Sequence, residues 1–149
     1  MQYQIETATG QDTETIVQFQ LDMARESEDN KLDYATVREG VKAAIEDDSK
    51  ATYLLAKAPE TGDVLGCLML TTEWSDWCNA PYYWIQSVYV RPTARRKGVF
   101  RELFEFAKIV AQSENAAALR LYVDKNNNVA QRVYQSLGMH DSHYLMYEL

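Results

Sequence analysis

Residues 91–101 read Arg-Pro-Thr-Ala-Arg-Arg-Lys-Gly-Val-Phe-Arg, five basic side chains around one glycine with no acidic residue among them. The stretch follows the apolar run Val88-Tyr89-Val90 and precedes a periodic apolar segment, so a strand runs into a basic turn that opens a helix. Such a junction holds an anion. The first N–H groups of a helix have no partner inside it, and the macrodipole adds roughly half a positive charge there. The chain as a whole carries a formal charge of −7. Against that background the cluster points to a polyphosphate, with a solvated helix start as the bland alternative.

Other familiar chemistries are poorly represented. Cys67 and Cys78 make no disulfide framework, and His140 and His143 lie far from both, which argues against a zinc site. No Ser/His/Asp arrangement is legible, and neither cysteine has a nucleophile's setting. An acidic chain of sequence pI about 4.8 lacks the basic face that general nucleic-acid binding needs. Residues 1–50 hold 12 Asp and Glu against 5 Lys and Arg, so a partner of the first half is expected to be a cation. With 149 residues, 46% of them hydrophobic, one core and one domain spanning 1–149 are expected. No apolar run is long enough for a membrane span, and no leader pattern opens the sequence, so a soluble cytoplasmic protein is expected.

The elements that must position these residues follow from periodicity. A short strand at 3–7 gives way at Gly10 to a helix capped by Asp12, with Ile16, Phe19 and Met23 on one face, decaying near 26–30. Asp33 opens a second helix carrying Val37, Val41, Ala44 and Ile45. Strands are expected at 52–58 and 64–72 around a turn at 59–63, and at 82–90 after an aromatic loop at 73–79. A long helix follows the basic turn, with Val99, Leu103, Phe106, Ala107 and Val110 as its stripe. A buried strand at 118–123, a short helix at 129–137 stopped by Gly138, and a last strand at 143–149 complete the order βααβββαβαβ. This is an α/β domain around one mixed sheet.

Two segments then resemble a family. Arg95-Arg96-Lys97-Gly98-Val99-Phe100 is similar to the acetyl-CoA-binding motif Arg/Gln-x-x-Gly-x-Gly/Ala of the GCN5-related N-acetyltransferases (GNAT), with Phe100 where Gly or Ala is usual. Asn127-x-x-Ala130-x-x-x-Tyr134-x-x-x-Gly138-Met139 resembles the family's second segment, with Met139 in place of Phe. The order of elements resembles the same fold over essentially the whole chain. The resemblance implies acetyl-CoA as co-substrate and no metal. Its pantetheine would lie along Val88, Tyr89 and Val90, and its pyrophosphate on the N–H groups of Arg96, Lys97, Gly98, Val99, Phe100 and Arg101. Arg95, Arg96 and Lys97 would add charge for the 3′-phosphate, and Gly98 would let the backbone approach without a Cβ. Phe100 is expected to point into the core with its N–H free.

By the same resemblance Tyr134 protonates the leaving thiolate. A phenol's reference pKa of about 10 lies near that of an alkyl thiol, so the transfer is close to balanced. Asn127 would bond the pantetheine, or with Asn126 and Asn128 form only a turn. The implied reaction is acetyl transfer to a primary amine by direct attack in a ternary complex. The acceptor is expected to be a small cationic molecule, with Glu26, Glu28, Glu73 and Asp76 as candidate contacts against a prior of surface charge. The general base is not identified. Gln86 is neutral where some members carry a glutamate, which favours a base acting through water. Trp74, Trp77, Tyr82, Tyr83 and Trp84 concentrate near the same strand, chiefly as packing, with one or two rings free to hold an acceptor. Exposed strand edges suit a homodimer. A non-catalytic acyl-CoA-binding module is the alternative, and an ATP-binding protein is disfavoured by the missing Gly-x-x-x-x-Gly-Lys-Ser/Thr loop.

Overall fold

The alternating runs pair into a single sheet. In the computed structural model, which describes residues 2–149, strands β1 (Gln4–Thr7), β2 (Thr52–Lys57), β3 (Val64–Ser75), β4 (Ala80–Val90) and β5 (Ala118–Leu121) lie in the order β1-β2-β3-β4-β5. Neighbours are antiparallel from β1 to β4, and β4 and β5 are parallel. Four helices flank the sheet among the described residues: α1 (Thr13–Glu28), α2 (Tyr34–Glu46), α3 (Val99–Ser113) and α4 (Asn128–Ser136). The protein is therefore a single-domain α/β structure around a mixed sheet.

Period-two alternation sends side chains of one strand to two cores. On one face Tyr53, Leu55, Cys67 and Tyr89 meet Ile16, Val17 and Phe19 of α1 and Val41 and Ala44 of α2. On the other, Leu54, Ala56, Leu68, Leu70 and Ile85 meet Val99, Leu103, Phe104 and Ala107 of α3. β4 contains one extra residue opposite Met69 and Leu70, whose partners are Ser87 and Ile85, so Gln86 is bulged. This bulge keeps Ile85 and Val88, three residues apart, on the same α3 face.

Several sequence expectations shift. Asp33 caps α2 as expected, accepting from Thr36 N–H at 3.0 Å. Asp12 stands before α1 but turns its carboxylate back to Thr9 N–H at 2.8 Å, closing a 3₁₀ turn at Gly10–Asp12 instead. The aromatic loop expected at 73–79 shrinks to a turn, because the β3–β4 ladder continues through Glu73↔Tyr82 and Trp74↔Pro81 to Ser75↔Ala80. β5 stops at Leu121, short of the expected 123, and Tyr122 and Val123 are exposed. The last strand expected at 143–149 does not form. A strand needs a neighbour's backbone groups, and this segment's nearest polar contact is local, from Tyr144 N–H to Ser142 Oγ at 3.1 Å.

Leu103 is 0% exposed at the centre of the α3 face, whereas Ile109 on the same helix is 54% exposed. Leu103→Ala is expected to cost about 2–5 kcal/mol, and Ile109→Ala no more than about 0.5 kcal/mol. Urea unfolding midpoints of the two variants check this, and equal costs would contradict the assigned core.

Candidate active site

β4 and β5 run together for only four residue pairs, from Tyr82↔Ala118 to Ile85↔Leu121. Beyond Ile85 the two strands part: Gln86 is the bulged residue, and residues 87–90 of β4 pair only with β3. One edge of the β4 backbone therefore carries N–H and C=O groups with no strand beside them, in a wedge between the two strands. The same strand leads directly into the basic turn. Arg91 begins it, a 3₁₀ turn spans Pro92–Ala94, and Gly98 stands at the N-cap of α3.

The turn has an unusual backbone. Arg96 (φ 62°) and Gly98 (φ 85°) both adopt left-handed conformations, the first at a steric cost of roughly 1 kcal/mol for a non-glycine residue. A Cβ built on Gly98 meets nothing within 4 Å, so glycine is required there by conformation, and the space in front of it is open. The first helical bond runs from Glu102 N–H to Gly98 O at 3.1 Å, leaving the N–H groups of Val99, Phe100 and Arg101 as the free donors of the helix start. Tyr3 holds the turn from the side: its hydroxyl donates to Lys97 O at 2.7 Å, and its N–H to Glu102 Oε1 at 2.9 Å.

The five basic residues divide into two groups. Arg91 donates to Val64 O at 2.6 Å and lies over the Phe19 ring at 4.9 Å. Arg95 donates to Val90 O at 2.8 Å and to Glu26 Oε2 at 2.7 Å, with its guanidinium 5.5 Å from the Tyr89 ring. Arg96, Lys97 and Arg101 are exposed, and no ion pair engages them among the described residues. Their charge is available to a bound anion. Val88 and Val90 face the α3 core, while Tyr89 faces α1, its hydroxyl 3.3 Å from Glu26.

Phe100 turns inward as expected. Its ring lies 6.0 Å from Phe104 and 5.9 Å, edge-on, from Tyr134. The residue that departs from the motif is thus a packing neighbour of the second motif's tyrosine. Tyr134 is half-buried on α4, and burial raises its hydroxyl above the ordinary tyrosine range, so it keeps its proton at neutral and mildly alkaline pH. Asn127 caps α4, its Oδ1 accepting from Ala130 N–H at 3.1 Å, which leaves its amide N–H groups free.

The four acidic candidates fall in different places. Glu26 borders a small cleft with Met23, Val88, Tyr89 and Arg95. Its hydrogen bond from Arg95 holds the carboxyl below the usual range, so it is a charged partner of the turn and a weak base. Glu28 is exposed at the last residue of α1. Glu73 and Asp76 line a separate cleft of about 420 Å³ with Trp84, Arg120 and Tyr144. Tyr83 belongs to the α3 core, so its neighbours Tyr82 and Trp84 face the other side, beyond the cover of α1 and α2.

In that aromatic cleft Trp84 donates its indole N–H to Glu73 Oε1 at 2.8 Å and stacks on Tyr122 at 4.6 Å. The Arg120 guanidinium sits 3.6 Å from the Tyr82 ring centroid and 5.8 and 5.9 Å from those of Trp84 and Tyr144. Sequence reasoning found the aromatic residues of β4 but missed Arg120, Tyr122 and Tyr144. The available signal was the alternation of Arg120 with Leu119 and Leu121, which puts it on the face opposite the α3 core. Gln86 donates to Thr71 Oγ1 at 3.1 Å and is a neutral cross-strand partner.

Comparisons with known proteins agree with this geometry. The family model for the Acetyltransferase (GNAT) family matches residues 14–139. A possible acetyltransferase from Clostridium difficile 630 superposes with a TM-score of 0.93 at 39% identity, covering 100% of this chain and 97% of its own. A probable acetyltransferase gives 0.88 at 25% identity over 98% of this chain and 96% of its own. The aminoglycoside N-acetyltransferase AAC(6')-Iy, solved in complex with CoA, shares the fold, with a TM-score of 0.81 at 14% identity over 99% of this chain and 93% of its own. No curated protein matches the sequence. The chain belongs to the Acetyltransferase (GNAT) family, and the general class of its activity is N-acetyl transfer.

The cysteines bear on the route of that transfer. Cys67 is 0% exposed on β3, and burial pushes its thiol up to about 12. Cys78 is exposed in the β3–β4 turn, with its Sγ 3.9 Å from the Tyr82 hydroxyl. One thiol per native chain is expected to react rapidly with Ellman's reagent at pH 8, the second only after denaturation. Two rapid thiols would contradict the burial of Cys67.

Proposed function

We infer that this protein acetylates a small cationic primary amine, using acetyl-CoA as donor, by direct attack in a ternary complex. The observation that carries the reading is the wedge itself. There the unpaired edge of β4 leads into the free first-turn N–H groups of α3, and Phe100 of that turn meets the ring of Tyr134 edge-on. These features fit the donor group by group. An extended amide-bearing arm suits the β4 edge, and a pyrophosphate suits the N–H groups of Val99, Phe100 and Arg101. The open space before Gly98 admits close approach, and Arg96, Lys97 and Arg101 supply unpaired positive charge.

Acetyl-CoA, when bound, supplies an acetyl group activated as a thioester. Backbone N–H groups of β4 near Val88 hydrogen-bond the carbonyl oxygen as its negative charge grows. The amine nitrogen forms the new bond to the carbonyl carbon, the carbon–sulfur bond breaks, and the Tyr134 hydroxyl gives its proton to the departing sulfur. Burial suits Tyr134 to this role, since its raised pKa keeps it an acid where an amine can be deprotonated. The amine loses its proton through water. Glu26 is a poor base while it is ion-paired to Arg95. No thiol is called upon, in keeping with the burial of Cys67.

The aromatic cleft supports a cationic acceptor. Glu73 and Asp76 put negative charge at its rim, although the Arg120 guanidinium already covers the Tyr82 ring, so an acceptor would meet the carboxylates first. Among the described residues no helix is long and apolar enough to cross a membrane. The acidic rim and the net charge of −7 favour a small cationic amine over a nucleic acid, whose phosphates they would repel. The test is a panel of amines, among them polyamines, amino acids, aminoglycosides and lysine peptides, with release of free CoA as readout. Amine-dependent release, strongest for small cations, is expected. CoA binding without release on any amine would replace this reading with a non-catalytic acyl-CoA-binding module.

A further inference from the structure

The backbone of the basic turn has one joint that its own residues do not fix. Arg96 and Gly98 flank Lys97 with φ of 62° and 85°. Glycine accepts either sign of φ, so residue 98 offers no resistance to a half-turn of the Lys97–Gly98 peptide. The two orientations differ in chemistry. The peptide is planar and trans, so its C=O and N–H point in opposite directions. One orientation offers the Gly98 N–H to an anion at the start of α3; the other offers the Lys97 oxygen, which repels it.

A residue outside both motifs sets the choice. Tyr3 stands immediately before β1, the edge strand of the sheet farthest from β5. Its side chain packs against the α3 core, and its hydroxyl donates to Lys97 O at 2.7 Å. The carbonyl is thereby held toward Tyr3 and the Gly98 N–H is turned away from it. Tyr3 also donates its backbone N–H to Glu102 Oε1 at 2.9 Å. Glu102 is the acidic residue in the first turn of α3, where a carboxylate competes with a bound anion for the same N–H donors. Both oxygen groups of the helix start are thus collected at Tyr3, while the N–H groups of residues 96–101 have no backbone acceptor among the described residues.

We propose that Tyr3 is a positioning residue for the pyrophosphate of the donor. Its hydroxyl holds the Lys97–Gly98 peptide with the N–H toward the anion, and its own N–H keeps the Glu102 carboxylate out of the anion's place. The inference rests on the reading of this turn as the pyrophosphate site, and adds to that site a residue 94 positions away in sequence that acts through the turn. Because the hydroxyl orients a phosphate donor and nothing else, its loss weakens the grip on the phosphates and spares the hold on the pantetheine arm.

Calorimetry and amide NMR on the full chain test it, comparing wild type with Tyr3→Phe. The two ligands are CoA and S-acetylpantetheine, which carries the arm without the pyrophosphate. Tyr3→Phe keeps the ring in the α3 core, so the variant is expected to stay folded by circular dichroism. Its Kd for CoA should rise about five- to ten-fold, the weight of one oriented hydrogen bond, with Kd for S-acetylpantetheine within about two-fold of wild type. The Gly98 N–H resonance should shift downfield when wild type is saturated with CoA, and shift less in the variant. Equal CoA affinity in the two proteins would overturn the proposal, as would a parallel loss of affinity for both ligands, which marks general damage to the fold. A wild-type Gly98 N–H that stays in place while CoA binds would overturn it without any variant. Wild type that binds no CoA would overturn the reading of the turn itself, and this inference with it.

Discussion

The parting of β4 from β5 after Ile85 is the constraint on which the rest of the site depends. Parallel strands that stayed paired would satisfy the backbone of residues 86–90 internally and leave nothing to bind an extended ligand. Because β5 ends its pairing at Leu121, that backbone faces a wedge, and the chain turns from it straight into the N-terminus of α3. The Gln86 bulge keeps the arrangement compatible with the core. It places Ile85, Val88 and Val90 on the α3 face together, so the strand stays anchored by its side chains while its outer backbone edge is free.

Electrostatics then narrow what the wedge can hold. Two of the five basic residues are committed to the fold: Arg91 clamps the start of β3 through Val64 O, and Arg95 joins β4 to α1 through Val90 O and Glu26. Arg96, Lys97 and Arg101 remain exposed in a chain of net charge −7. A local cationic field set in a repelling background would suit a compact polyanion. Phe100 adds the mechanical link. Its edge-on contact with Tyr134 joins the turn that would grip the pyrophosphate to the side chain that would act on the sulfur.

Much of this was legible in the sequence, and the gaps have physical causes. The basic turn and Gly98 announced themselves as an element boundary, whereas Asn127 and Tyr134 stood out only through the resemblance of their segment to the family's second motif. The caps were half legible: Asp33 behaves as its position predicts, but Asp12 bonds backward to Thr9, since an Asx side chain can serve the turn before it as well as the helix after it. The bulge was not legible, because an apolar run with one extra residue still reads as a continuous strand. The hairpin tip was misread as a loop because aromatic and acidic residues there pair across the ladder, and pairing is a property of two strands. The terminal strand failed for the same reason: 143–149 has the pattern, but the single chain supplies no neighbour. Arg120 and its ring cage required three separate segments to meet, which no local pattern encodes.

The central claim is that a chemically competent Tyr134 sits at the end of the wedge, so the most direct measurement removes only its hydroxyl. Tyr134→Phe keeps the ring that packs against Phe100, and acetyl-CoA affinity measured by calorimetry should stay within about two-fold, because a lost hydroxyl that makes no ground-state contact leaves binding unchanged. With the best amine from the panel, kcat should fall by about 100-fold or more, the usual contribution of a positioned general acid. An unchanged kcat with unchanged affinity would contradict the account, leaving the wedge as a binding site and taking Tyr134 out of the chemical step.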